Sequence, residues 1–338
     1  MEEVSTIGVD LAKSVFQVHG MDATGKVLVR RQLRRAEVLR FFAKLPPCLV
    51  GMEACATAHH WGRELIKLGH TVKLMPPAYV KAYVKRGKTD AADAEAIAEA
   101  VTRPTMRFVA VKSTDQQAML MLHKVRDLLV RQRTMLINAL RGHLAEFGVV
   151  TARGPAGVKA ALVELHGMQD SLPPLARLAF QQLVDRLEAI GVEIRKAERE
   201  IVVGCRHDDA SRRLATIPGI GPITASAIAA AVPDASVFRS GRQFAAWLGL
   251  TPRAHSSGGK QRLGGISKQG DGYIRRLLVT GATAVIRMAR QDNASKAWAA
   301  RLLQRKPARL VSVALANKTA RIAWAVLARN QSYMAPAV

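Results

Sequence analysis

A chain of 338 residues with 51 Lys plus Arg against 26 Asp plus Glu carries a formal charge of +25, which calls for a polyanionic partner. Apolar residues make up 49 %, enough for packed cores in about two or three structural units. No stretch approaches the roughly 20 uninterrupted apolar residues that span a bilayer, and the acidic start "MEEVSTIGVD" lacks an apolar signal core, so the expectation is a cytoplasmic protein with no membrane partner.

The bases are spread along the chain rather than gathered in a tail, which favours nucleic acid over a membrane surface. An aromatic content of 5 % argues mildly against single-strand binding by base stacking. Cys48, Cys55 and Cys205 form no CxxC pair and suggest neither a disulfide framework nor a zinc site; buried thiols in a reducing compartment are expected.

In chain order, "STIGVDLAKSVFQVHG" is rich in β-branched and aromatic residues, "DATG" reads as a turn and "KVLVRRQL" as a further extended run, together a hairpin. "RRAEVLRFFAKL" has helical spacing, "CLVGMEAC" reads as a buried strand, "HHWGRELIKLG" as a helix ending at Gly69, and "HTVKLMPP" as a strand stopped by Pro76 and Pro77. A helix follows from Asp90 to Val101. The order is β-β-β-α-β-α-β-α over residues 1–103, with the first run split into two strands. Residues from about 113 to 147 are one long helical pattern, and a second falls within 175–204, with "TARGPAG" as the break between them. The pair reads as antiparallel helices or an oligomerising coiled coil. Beyond Cys205 the chain is again helical, interrupted by the Gly-rich segment 256–272.

For so basic a protein, the placing of Asp90 and Asp93 is unusual. Residues i and i+3 share a helix face, and this face continues through Ala94, Ile97 and Val101 as a core stripe. The two acids therefore head the inward-facing stripe, whereas Glu95 and Glu99 read as ordinary solvated acids. One reading is capping, with Asp90 as N-cap and Asp93 in the first turn. The other brings in Asp10, near the end of the first strand, and Glu53, at the end of "CLVGME". If those strands are neighbours and the helix packs across them, four carboxylates gather and need a cation. Hard oxygen ligands suit Mg²⁺, and two such ions roughly 3.5–4 Å apart can clamp the attacking and leaving oxygens of a phosphodiester.

In the C-terminal half, "LATIPGIGPITASAIAAAV" has the form helix, Gly-rich turn, helix. "PGIG" resembles the turn of a helix-hairpin-helix, where Gly219 and Gly221 could offer backbone N–H groups to a phosphate, or simply form a tight turn. In residues 241–278, Phe244, Trp247 and Leu248 read as core. Seven glycines and the bases Lys260, Arg262, Lys268, Arg275 and Arg276 then surround Ser256 and Ser257. From composition alone this is a basic loop touching nucleic acid, with no chemistry required of its serines.

Residues 1–103 resemble the RuvC-like branch of the RNase H fold, and nearly the whole chain resembles the DEDD transposases of bacterial insertion sequences, the group described as RNA-guided recombinases. The motifs that carry the resemblance are "GVDLAKSVFQVHG", "GMEACATAHHWGREL", "KTDAADAEAIAEAV" and "RPTMRFVAVKS". "ACATAHHW" replaces the "ATGxYW" type of segment and is similar to the subgroup whose guide is called a seekRNA.

The resemblance implies an α/β RuvC-like domain over 1–112, a helical coiled-coil or oligomerisation segment over 113–204, and a mainly helical transposase domain over 205–338. It implies Mg²⁺ on Asp10, Glu53, Asp90 and Asp93, an element-encoded guide RNA, donor and target double-stranded DNA, and a homo-oligomer, a dimer or a tetramer when both DNAs are held. It places the chain in the bacterial cytoplasm at the nucleoid. The family pattern P-x-x-x-x-S-G falls on Pro252 and Ser257-Gly258, which implies that Ser257 is a nucleophile forming a phosphoserine link to DNA, activated by the acid-bound metal across protomers. Two rivals predict other outcomes. A metal-only nuclease of the junction-resolvase type leaves hydrolysed ends and no adduct. A non-catalytic nucleic-acid-binding protein tolerates loss of the acids.

Overall fold

The computed structural model describes residues 3–85, 89–288 and 294–335. Lys88, the first residue of the "KTDAADAEAIAEAV" motif, lies outside them. The described chain forms two compact units, one of Met1–Gln117 with Ala230–Gln243, the other of Ala118–Ala229 with Phe244–Val338.

The first unit is built on a five-stranded sheet. β1 (Thr6–Leu11), β2 (Val15–Met21) and β3 (Val27–Arg34) form an antiparallel meander. After α1 (Val38–Phe42), β4 (Leu49–Glu53) joins β1 in parallel; after α2 (Ala58–Lys67), β5 (Thr71–Met75) joins β4 in parallel. The strand order is β3-β2-β1-β4-β5; along the chain the elements follow the expected succession, with the first extended run divided between β1 and β2. A short helix α3 (Pro77–Val80) then leads to α4 (Asp90–Val101).

Alternation along the strands separates the two faces of the sheet. Ile7, Val9, Val50 and Met52 bury themselves on one side among Phe16, Phe42, Trp61 and Leu65, with the Phe16 and Trp61 rings edge to face at 5.1 Å. Gly8 and Gly51 lie on the other side, where α4 crosses. A Cβ on Gly8 would sit 2.2 Å from the Ala94 carbonyl oxygen and 2.4 Å from the Ala98 nitrogen; one on Gly51 would sit 2.8 Å from Val101 Cβ. A glycine inside a strand marks such a close backbone approach. Both lie two residues before an acid, Asp10 and Glu53, so the helix and both acids share one face.

In the second unit α5 (Thr114–Glu146) and α7 (Pro174–His207) run antiparallel. Met119 packs on Gly204, Arg126 Nε donates to Glu198 Oε1 at 2.9 Å, and Leu140 and Leu144 cluster with Phe180 and Val184. The expected single break between them holds a further helix, α6 (Pro155–Gly167), whose Ala161 and Leu165 close the end of the pair. Pro155 at its start hid it, because "RGPAG" reads as a breaker although proline is welcome in a helix's first turn.

α8 (Asp209–Leu214), α9 (Pro222–Ala231) and α10 (Gly241–Trp247) follow. Then come a hairpin of β6 (Pro252–Ala254) and β7 (Leu263–Ile266), and α11 (Gly272–Met288), α12 (Ala294–Leu303) and α13 (Ala308–Arg329). α13 is long and apolar enough to cross a membrane by length and composition, yet its Val311, Ala316, Ala320 and Ala323 are fully buried and it packs along α11. His123 of α5 is buried; Ser226 of α9 lies 3.1 Å from its Nε2 and the Tyr273 hydroxyl of α11 3.1 Å from its Nδ1, so one imidazole ties three helices, and burial lowers its pKa to about 4.

Gly8→Ala is expected to cost about 1–3 kcal/mol, because backbone rather than a flexible side chain stands in the way. Gly142→Ala, at an exposed position of α5 with open space around it, is expected to gain about 0.5–1 kcal/mol. Thermal melting of the two variants checks this, and a neutral Gly8→Ala contradicts the seating of α4.

Candidate metal centre and serine hairpin

The capping reading of Asp90 yields to Thr89. Its side-chain oxygen accepts from the Ala92 N–H at 3.2 Å, with Thr89 extended at φ −136°, so Thr89 is the N-cap of α4. Asp90 and Asp93 are thereby left for other work. Carboxylate oxygens of Asp10, Asp90 and Asp93 lie within 4.8 Å of one another, Asp90 exposed and the other two half-buried. Among the described residues Glu53 stands outside that three-acid group. Its backbone occupies the register position beside Asp10, since Val9 pairs with Met52 in the parallel ladder, one strand spacing of about 4.8 Å away. β1 and α4 therefore bring three of the four expected acids into a cluster, and β4 brings the backbone of the fourth alongside.

An all-carboxylate set of hard oxygens this close fits a divalent cation of the Mg²⁺ type, whose usual partners are one or two carboxylates, waters and phosphate oxygens. Unscreened, three acids at such spacing repel, and a cation is the simplest resolution.

Glu95 is not the free surface acid its sequence position suggests. Lys85 donates to it at 2.6 Å, Arg30 lies 3.9 Å away, and the Lys85 hydrogen bond holds its carboxyl below the usual range. Glu99 is held by Arg103 at 2.8 Å.

In the second unit, the Gly-rich segment is an ordered hairpin. Ser257 and Lys260 form its last bridge, the Lys260 N–H donating to the Ser257 carbonyl at 3.1 Å, and Gly258 and Gly259 turn the chain at φ +55° and +74°. Positive φ at both central positions is what a two-residue type I′ hairpin turn requires. The two serines differ. Ser256 Oγ accepts from the Arg262 N–H at 3.2 Å, whereas Ser257, exposed at the tip, has no hydrogen bond from its hydroxyl to any other described residue.

The root of the hairpin is stapled. Gly249 (φ +69°) and Gly270 (φ +68°) bring the two chain segments so close that a Cβ on Gly270 would lie 1.9 Å from the Trp247 carbonyl oxygen. Arg275 Nη1 donates to the Leu248 and Gln269 carbonyls at 2.9 and 2.7 Å, so this base holds the root. Lys260, Arg262 and Lys268 are exposed along the hairpin, Lys268 in the left-handed region at φ +56° with its N–H on the Gly249 carbonyl. Arg276 pairs with Asp127 and lies over the Tyr273 ring.

Phe244 and Leu248 are core as expected. Trp247 is 37 % exposed, one face stacked on Phe244 at 5.7 Å, which corrects its assignment to the interior. In the "PGIG" turn, Gly219 (φ +87°) presses its carbonyl against Gly281 of α11, a packing role, while Gly221 is exposed with open space where a side chain would be.

A paired-acid cluster on this sheet order, in a chain of net charge +25, fits a nucleic-acid-processing protein of the DEDD class. Residues 7–148 match a family pattern for the DEDD transposase domain of the IS110 type, described as "Transposase", and residues 211–298 match "Transposase IS116/IS110/IS902 family". The chain is 54 % identical over 98 % of both chains to a Pseudomonas aeruginosa protein named "Probable family 20 transposase". It is 43 % identical to the transposase for insertion sequence element IS1328 of Yersinia enterocolitica, over 96 % of this chain and 97 % of that one. It is 40 % identical to the transposase for insertion sequence element IS1111A of Coxiella burnetii, over 98 % and 92 %. The chain belongs to the IS110/IS116/IS902 family of insertion-sequence transposases, and DNA transposition is its activity.

Asp10→Asn and Asp93→Asn are expected to weaken divalent-cation affinity by more than about tenfold, since even outer partners of metal ligands are worth that much. Glu99→Gln leaves it unchanged. Calorimetric titration of the full chain with Mn²⁺ or Mg²⁺ checks this, and unaltered affinity in both aspartate variants contradicts the cluster as a cation site.

Proposed function

We propose that this transposase is an RNA-guided recombinase that moves its element by serine chemistry, with Ser257 as the nucleophile and Mg²⁺ on Asp10, Glu53, Asp90 and Asp93. In this reading residues 1–112 hold metal, 113–204 assemble the oligomer, and 205–338 carry the serine. The working particle is a dimer or tetramer on guide RNA, donor DNA and target DNA, acting in the cytoplasm. RNA guidance and assembly rest on the motif resemblance. The serine assignment rests on one observation: of two adjacent serines, Ser256 is engaged by the Arg262 N–H, and Ser257 stands exposed at a turn of two glycines where a phosphate can approach.

Ser257 Oγ attacks phosphorus, an Oγ–P bond forms, the bond from phosphorus to one sugar oxygen breaks, and that oxygen leaves as a hydroxyl carrying a proton. The serine's own proton passes to a base or solvent. Because one phosphodiester replaces another, the bond energy is retained and the strand can be rejoined to a new partner by the reverse step. Lys260 and Arg262, exposed beside the tip, offset charge developing on the phosphate. When bound, Mg²⁺ supplies Lewis-acid stabilisation of phosphate oxygens and makes a hydroxyl easier to ionise. The acids' part is to hold that charge at one place on a rigid sheet.

The same acids on the same sheet also serve a metal-dependent nuclease without serine chemistry, and the close Asp10–Asp90–Asp93 cluster favours that second reading equally. A suicide DNA substrate nicked near the crossover separates the two. Wild type and Ser256→Ala are expected to form a covalent protein–DNA adduct, and Ser257→Ala none, with DNA affinity within about twofold because phosphate charge dominates binding. An adduct on another residue, or transposition by Ser257→Ala, overturns the serine assignment. RNA sequencing of the copurifying nucleic acid tests guidance.

A further inference from the structure

Between α4 and strands β2 and β3 lies a cleft of about 360 Å³, within the roughly 300–1,000 Å³ of small-ligand sites. Its polar lining is Gln17, His19, Arg30, Arg31, Gln32, Thr89 and Glu95. Directly paired residues share a face of a sheet, and Asp10 pairs with Gln17, Gly8 with His19, Gln17 with Gln32 and His19 with Arg30. The cleft therefore opens on the same face as the acid cluster. Gln32 lies two strand spacings, about 10 Å, from Asp10. Ala91 and Ala92, which complete the wall, follow Asp90 directly.

The chemistry of the lining suits a ligand with hydrogen-bonding edges. Glu95 pairs with Lys85 and lies 3.9 Å from Arg30, and the Arg31 guanidinium lies over the Phe41 ring, so the cleft keeps a net positive charge, which suits a polyanion strand, without being a bare anion hole. Gln17 and Gln32 each present an amide donor and acceptor side by side, the arrangement that reads base edges. His19 is 4 % exposed, and its ring has no hydrogen bond to another described residue. Burial lowers its pKa, so it stands neutral with one donor and one acceptor.

We propose that this cleft is a subsite for a single nucleobase, the base of the nucleotide whose phosphate meets the cation at Asp10, Asp90 and Asp93, read by Gln17, His19 and Gln32. The assignment rests on the acids holding a phosphate through a divalent cation, as in the function proposed above, but not on Ser257. It makes the first unit a reader of sequence beside the reacting bond, in addition to a holder of metal.

The test couples a protein change to a ligand change. Short single-stranded oligonucleotides, one DNA set and one RNA set, carry an abasic residue at successive positions. Their affinities for the full chain and for Gln17→Ala/Gln32→Ala are measured by fluorescence anisotropy in Ca²⁺. Gln32 is exposed and Gln17 half-buried, so the fold tolerates both changes, and each single variant is measured beside the double. Wild type is expected to lose about tenfold at one abasic position, and the double variant to lose nothing further there. Coupling in the DNA set assigns the pocket to a DNA strand, and in the RNA set to RNA. An equal abasic loss in wild type and variant in both sets overturns the proposal. Because the readout is binding, failure of the covalent-adduct experiment leaves it intact, and loss of coupling leaves the adduct experiment untouched.

Discussion

Everything chemical in the first unit depends on how closely α4 lies on the sheet. Two strand glycines, Gly8 under the backbone of Ala94 and Ala98 and Gly51 under the Val101 side chain, let α4 come within a distance that any side chain would forbid. That contact fixes the first turn of α4 against the ends of β1 and β4, where Asp10 and Glu53 sit. Charge repulsion among the acids opposes this arrangement. It is borne by the apolar packing behind it, with Ile97, Ala100 and Val101 buried along the rest of the helix. A cation would convert that repulsion into attraction, so metal binding and the packing of α4 support each other.

The basic balance of the chain acquires a spatial sense from the same contact. A polyanion drawn by a net charge of +25 meets a local concentration of negative charge in the first unit, and the two are compatible through a cation shared between carboxylates and phosphate. The exposed bases of the β6–β7 hairpin present the opposite case, where Lys260 and Arg262 flank a serine with no competing acid beside it in sequence. Arg275 and Arg276, which the sequence offers as equal phosphate contacts, differ in fact. One is spent on two backbone carbonyls at the hairpin root, the other on Asp127.

Much of the sheet was legible because strand alternation and turn residues are local signals. The adjacency of β1 and β4, which the sequence offers only as a condition for the acids to meet, is supplied by the parallel pairing of Val9 with Met52. Less legible was whatever depends on approach in space. Gly8 and Gly51 look like ordinary strand interruptions until a helix is laid across them. Thr89 is hard to read as the N-cap because an aspartate, an equally good cap, follows it. α6 was hidden by a proline that begins it rather than breaking it. Glu95 looked solvated because its partners, Lys85 and Arg30, come from other segments. In each case the deciding neighbour is distant in sequence, or the local residue permits two structures and packing chooses one.

Asp10 and Glu53 of the sheet and Asp90 and Asp93 of α4 are read as one cation site, and where an ion sits decides it. Crystals of the full chain grown with Mn²⁺ and measured at the manganese absorption edge locate the ion by its anomalous signal. The account predicts a peak among the carboxylates of Asp10, Asp90 and Asp93, with Glu53 turned toward it and the peak lost in Asp93→Asn. Manganese bound elsewhere on the chain, with that cluster empty at saturating metal, would contradict it.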